Sequence, residues 1–178
     1  MSRSNDNYAS VIRRVGAYAV DALILFIAFP IILGAICGFV LYLTIGLEWM
    51  QNGFLFWLYV FSVVSIPFWL YYSLLESSAR QATFGMSLFG LQVADIEGKR
   101  LSFRRALLRT IIKLLPFELN HLVLFLPTPI WSDPNPGFRI GFVIVNALII
   151  LYFATMFLTR RRQSIHDLAA GTIVVNAA

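Results

Sequence analysis

Three long apolar stretches, Ala22 to Leu47, Phe54 to Leu75 and Gly141 to Leu158, decide what this chain can fold into. A bilayer core about 30 Å thick is crossed by roughly 20 apolar residues of helix, and each stretch reaches or approaches that length. Backbone amides surrounded by lipid find no water to bond, so spanning segments of this kind are helical. Composition agrees, since 59% of the 178 residues are hydrophobic and only 13% are charged. The fold class is all-α, a polytopic membrane helix bundle. Residues 1–178 read as a single domain, because no linker-like or low-complexity tract divides them. The basic start MSRSNDNYASVIRR opens onto an apolar run far longer than a signal peptide's, so it reads as an uncleaved first span.

A fourth stretch, Ile111 to Ile130, is interrupted by Lys113, Pro116, Glu118, Asn120 and His121, and hydropathy alone does not settle whether it crosses. Basic residues near span ends collect on the cytoplasmic side. If the stretch crosses, 13 of the 14 Lys and Arg face the cytoplasm and only Arg139 lies outside. If it does not, Arg160, Arg161 and Arg162 fall on the outer side. The expectation is therefore four spans with both termini cytoplasmic. Trp49 and Trp131 then sit at the outer interface, and Tyr71 and Tyr72 near the inner one.

A straight helix over Val15 to Leu47 would extend roughly 50 Å at about 1.5 Å per residue, so its first turns tilt or protrude. Asp21 is thereby expected near the cytoplasmic interface. Pro30 predicts a kink, and Gly34 to Gly38 offers a small-residue face for close helix packing. Within the cytoplasmic loop, about residues 76–110, "GLQVAD" alternates like a short strand and "IEGKR" supplies a turn at Gly98, a small β-hairpin. Ser102 is placed to cap an amphipathic helix over Phe103 to Lys113 along the inner surface. Its neighbourhood carries Lys99, Arg100, Arg104 and Arg105. These suit anionic lipid headgroups, at about 1 kcal/mol for each basic residue near the surface. Nucleic acid is not expected as a partner, since topology already demands these charges. Near the C-terminus, "TIVVN" is a second strand suited to pair with "LQVAD".

Three pieces of the chain together resemble the RDD family of bacterial membrane proteins, which is named for one arginine and two aspartates. "RVGAYAVDALI" is similar to the family's RxxAxxxD pattern, with Arg14 and Asp21 in the matching places. "TFGMSLFGLQVADIEGKRLSFRRALLR" is similar to its loop motif, and "QSIHDLAAGTIVV" puts Asp167 where the second aspartate stands. One departure is TFGM where the family often has TPGK, so Phe84 and Met86 replace a proline and a lysine. The resemblance implies a bacterial cytoplasmic (inner) membrane location and a role in transport.

Arg14, Ala17, Tyr18 and Asp21 recur at helical spacing, so Arg14 and Asp21 share a face but stand about two turns apart. Each needs a partner from elsewhere, and Arg109 and Asp167 lie at the same expected depth. A cluster of Arg14, Asp21, Arg109 and Asp167 would be nearly charge-balanced. Such a cluster either pins three chain segments together or lets its carboxylates take up a cation or proton. Glu118 and His121 are three apart on one helix face, with Asn120 beside them and Pro116 freeing a carbonyl. That set reads as a proton-accepting pair, histidine being the side chain that ordinarily titrates near neutrality, or as a plain interhelical hydrogen bond.

No metal or cofactor is expected. A di-metal bundle needs a second Glu-x-x-His and further glutamates, and Cys37 has no second thiol to join. No enzyme signature stands either: His166 and Asp167 are adjacent with no GxSxG, and Gly85 and Gly90 lack the lysine of a phosphate loop. The leading expectation is transport of a small ion or solute, proton- or sodium-coupled, by a homo-oligomer. The alternative is a non-transporting scaffold or accessory subunit that binds lipid or a partner membrane protein.

Overall fold

The computed structural model describes residues 8–135 and 137–177. In chain order the elements are α1 (Val11–Ile45), α2 (Gly53–Glu76), α3 (Phe84–Leu88), β1 (Leu91–Asp95), α4 (Phe103–Phe125), α5 (Gly141–Leu158), α6 (Ile165–Ala170) and β2 (Thr172–Asn176). The chain is mostly helical, and α1, α2 and α5 are long and apolar enough to cross a membrane. The fourth helix, α4, has 23 residues and so reaches about 35 Å. Arg104, Arg105, Arg109, Lys113 and Glu118 keep it from qualifying by composition.

The expected surface helix ending at Lys113 is not a separate element. Ser102 does cap the start, its Oγ accepting from Arg105 N at 3.3 Å, but α4 then runs unbroken through Pro116. A proline inside a helix strands the carbonyl four residues back. That carbonyl belongs to Ile112, and it accepts from the Tyr152 hydroxyl at 2.7 Å. The carbonyl that Pro116 frees is therefore already used within the protein.

The described residues separate into two compact units. The first holds the chain up to Ile24 with Trp69–Leu114 and everything from Ile149 onward. Its sheet pairs β1 and β2 antiparallel, with Leu91 opposite Asn176 and Asp95 opposite Thr172. The sheet is thus not a local hairpin. Asp95 Oδ1 instead accepts from the backbone of Glu97 and Lys99 at 2.9 and 2.8 Å, turning the chain toward α4 and leaving β1 free for the distant "TIVVN". Tyr8 bridges to Val175, and Ala9 N donates to Val174 O at 3.0 Å, so the N-terminal segment extends the same sheet. Ala17, Met86, Leu91, Val93, Ala106 and Val174 form the core beneath it. The alternating strand pattern feeds this core from one face.

The second unit holds Leu25–Phe68 and Leu115–Leu148. Here α1 and α2 each contain a π-helical turn, over Ile27–Leu33 and Phe61–Ser65, and the two turns pack against each other. Pro30 lies inside the first and accounts for its widened register. The small-residue face at Gly34 and Gly38 receives Tyr59, whose hydroxyl donates to the Gly34 carbonyl. Gly53 opens α2 so close to α4 that an added Cβ would lie 2.0 Å from the Phe125 carbonyl oxygen. Arg139, the one cation expected outside, donates to the carbonyls of Val123 and Thr128 at 2.5 and 2.8 Å and so closes the C-terminal end of α4.

Candidate functional site

Two groups of polar side chains are buried. The larger is in the first unit, where α1 supplies Arg14, α4 supplies Arg109 and Lys113, α2 ends on Glu76, and α6 carries Asp167 in its first turn. Arg14, Arg109, Glu76 and Asp167 are all at most 1% exposed. Asp167 is gripped from two sides. Arg14 Nη2 donates to Oδ2 at 2.5 Å, and Arg109 donates through Nε and Nη2 to Oδ1 at 3.0 and 2.8 Å. The same carboxylate closes a capping box, accepting from Ser164 N at 3.0 Å. Arg109 turns its remaining arm to Glu76 Oε1 at 2.5 Å, and Lys113 Nζ reaches that oxygen at 3.2 Å. The Lys113 ammonium also lies 3.4 Å from the centre of the Tyr72 ring and 4.8 Å from that of Tyr18.

Asp21 is not part of this network. Its carboxylate accepts from Tyr71 Oη at 2.7 Å, Thr83 Oγ1 at 2.6 Å and Gly85 N at 2.7 Å. The expected foursome is thus corrected. Arg14, Arg109 and Asp167 come together, Glu76 takes the place given to Asp21, and Lys113 joins them. Asp21 shares the face of Arg14, but α3 lies against that face first and claims its oxygens. Around Asp167, Glu76 and Asp21 the unit thus sets two buried guanidiniums, Arg14 and Arg109, and the half-buried Lys113.

Gly85 is what lets α3 lie there. An added Cβ would stand 2.1 Å from the Ala17 carbonyl oxygen and 2.9 Å from Asp21 Oδ1. We expect Gly85→Ala to push α3 off α1 and cost about 1–3 kcal/mol. A melting temperature several degrees below wild type in detergent checks this, and an unchanged one contradicts it.

The charges in the first unit set the titration of its non-spanning groups. Burial alone would raise the Asp167 carboxyl, but Arg14 and Arg109 outweigh it and hold its pKa well below the usual carboxylate range. The His166 imidazole is driven well below its usual value by burial, against the pull of Asp167 and with Arg109, Lys113 and Arg14 adding to the fall. It is neutral in the folded protein. Unfolding lets it take a proton below about pH 6.5, so the stability it contributes is complete above that pH and declines on acidification. Asp167 behaves in the same sense from about pH 4 downward. Wild type should lose stability from pH 7.5 to 5 by up to about 1.4 kcal/mol per pH unit below 6.5, and His166→Gln should flatten that decline. Superimposable curves for the two proteins would contradict the assignment.

The smaller group is in the second unit. Ser65, the last residue of the α2 π-turn, donates through Oγ to Glu118 Oε2 at 3.0 Å. His121 Nδ1 is 3.7 Å from the same oxygen, and its ring packs on Phe117 and stacks on Phe125. Among the described residues, Glu118 Oε1 and His121 Nδ1 are buried and have no hydrogen-bond partner, as is also true of Arg14 Nε, Glu76 Oε2, Arg109 Nη1 and His166 Nδ1 in the first unit. Buried polar atoms normally find one. Asn120, also expected here, is turned about 100° from His121 around the helix. The remaining candidates are exposed. Lys99 pairs with Glu97 at 2.7 Å, Arg100 Nε donates to Ser77 O at 2.7 Å, Arg105 reaches Asp95 at 3.4 Å, and Arg104 projects from the first turn of α4.

Sequence reasoning missed Glu76, Tyr71 and Thr83 as partners. Glu76 closes an apolar stretch and carries no spacing signal. Lys113 was findable, since it lies one helical turn beyond Arg109.

The RDD family model matches residues 8–171. No curated protein and no solved structure matches the chain.

Proposed function

The chain belongs to the RDD family, and from that premise we propose that it transports a small ion across a bacterial cytoplasmic membrane, coupled to protons or sodium. The observation that carries this reading is the Glu118–His121 pair. It holds a carboxylate oxygen and an imidazole nitrogen without partners, beside a π-turn in an adjacent apolar helix. π-turns break the regular backbone ladder and recur at functional sites. An ionisable residue inside a membrane helix is costly to keep, and one with spare bonding capacity is suited to exchange a proton or cation.

In this reading α4 crosses the bilayer, both termini are cytoplasmic, and the helices assemble as a homo-oligomer, since so few spans make a thin wall. The Arg14–Asp167–Arg109 network takes no part in conduction. It secures the first unit, as its ion pairs between α1, α2, α4 and α6 favour.

The test is proton flux into proteoliposomes loaded with a pH-sensitive dye, under imposed proton, sodium or potassium gradients. Flux several-fold above that of empty vesicles under at least one gradient is expected. Background signal under all three would overturn the proposal in favour of the scaffold reading, which the ion network of the first unit also suits.

A further inference from the structure

The loop between α2 and α4 contains a helix that no part of the transport reading uses. α3 has only five residues, yet it is strapped along α1 at both ends. At its start, Asp21 accepts from Thr83 Oγ1 and Gly85 N. At its end, the Arg13 guanidinium donates to the Phe89 carbonyl, and the Phe89 ring lies where a side chain at Gly16 would be, 2.6 Å from an added Cβ. α3 therefore runs beside residues 13–21 of α1. Ala82 and Met86 face the core of the unit, whereas Phe84 and Leu88, one helical turn apart, are 59% and 73% exposed, with Ser87 exposed beside them.

The depth of α3 follows from its neighbours. Asp21 is about 15 Å along α1 from Val11 at about 1.5 Å per residue. Tyr71, which donates to Asp21 and whose ring lies 6.1 Å from that of Phe84, is inside α2 and not beyond its end. After leaving α2 at Glu76 the chain thus doubles back to a level within both apolar helices. At that level α1 also turns only apolar side chains outward: Ile12, Val15 and Leu23 are 84%, 39% and 64% exposed.

We propose that residues 82–89 form a short re-entrant helix alongside the end of α1, with Phe84 and Leu88 seated among lipid chains just below the headgroups of the leaflet. The occupant of this surface is the bilayer itself. Aromatic and aliphatic side chains turned outward at that depth are what such a site takes. Arg13, at the far end of α3, marks the headgroup level, where long cationic side chains keep their charge wet while their stems lie in apolar surroundings.

The test uses nitroxide labels on the full chain with Cys37→Ser, reconstituted in phosphatidylcholine/phosphatidylglycerol vesicles. Phe84→Cys and Leu88→Cys are compared with Leu43→Cys, exposed on α1, as the lipid reference and with Ile96→Cys, exposed in the turn after β1, as the aqueous one. Accessibility to oxygen should match that at 43, and collision with an aqueous nickel chelate should be several-fold lower than at 96. Nickel collision equal to that at 96 would overturn the proposal. So would exclusion of both reagents, which would mean that a protein covers the surface. Either position suffices if the other variant fails to reconstitute, and the readout is independent of any flux.

Discussion

Asp167→Asn is expected to be the most damaging single substitution in the chain, lowering stability by about 3–5 kcal/mol. The side chain keeps its shape and its capping acceptor, but two buried guanidiniums, Arg14 and Arg109, are left sharing a neutral amide whose NH2 points at donors. Native stabilities are only about 5–15 kcal/mol, so membrane abundance should fall several-fold. By contrast, Lys99→Ala breaks an ion pair exposed on both sides and should change nothing measurable. Thermal unfolding in detergent, with membrane abundance by immunoblot, reads both. Wild-type behaviour of Asp167→Asn would mean that the guanidiniums find other partners.

Glu118→Gln should have the largest effect on function and little effect on folding. Ser65 Oγ can still donate to the amide oxygen, so the one short hydrogen bond that Glu118 accepts survives. What disappears is the carboxylate oxygen that has no hydrogen-bond partner beside His121. Flux should drop to the level of empty vesicles, while the melting temperature stays within a few degrees of wild type. Undiminished flux at equal protein would remove Glu118 from the path. Loss of flux together with loss of folding would make the residue structural.

The three apolar helices were legible in the sequence because length and composition are local properties that lipid reads directly. The strands β1 and β2 were legible for a similar reason, since alternation with β-branched residues needs no knowledge of the rest of the fold. Partner choice was not. Arg14 needed an anion, and Asp167 met that need as expected. Whether Asp21 or Glu76 completed the set depended on α3 lying against α1, and that rests on Gly85, whose missing side chain leaves no mark on composition or periodicity. The end of the surface helix was misplaced for a comparable reason. Pro116 signals a break, and only the Tyr152 hydroxyl, 36 positions later, shows why the helix continues. For Glu118 and His121 the spacing was visible in advance. The serine that meets them, Ser65, was hidden in an apolar stretch, and the π-turn that presents it had no proline to announce it.

Everything proposed for Glu118 requires α4 to traverse the bilayer, which puts the connection between α4 and α5 on the side opposite the C-terminus. The most direct measurement is labelling of Asn135→Cys, in the Cys37→Ser background, with a membrane-impermeant maleimide on intact cells. Labelling without permeabilisation is the expected result. Labelling that appears only after the membrane is opened would place α4 on the cytoplasmic face and leave Glu118 and His121 with no membrane to cross.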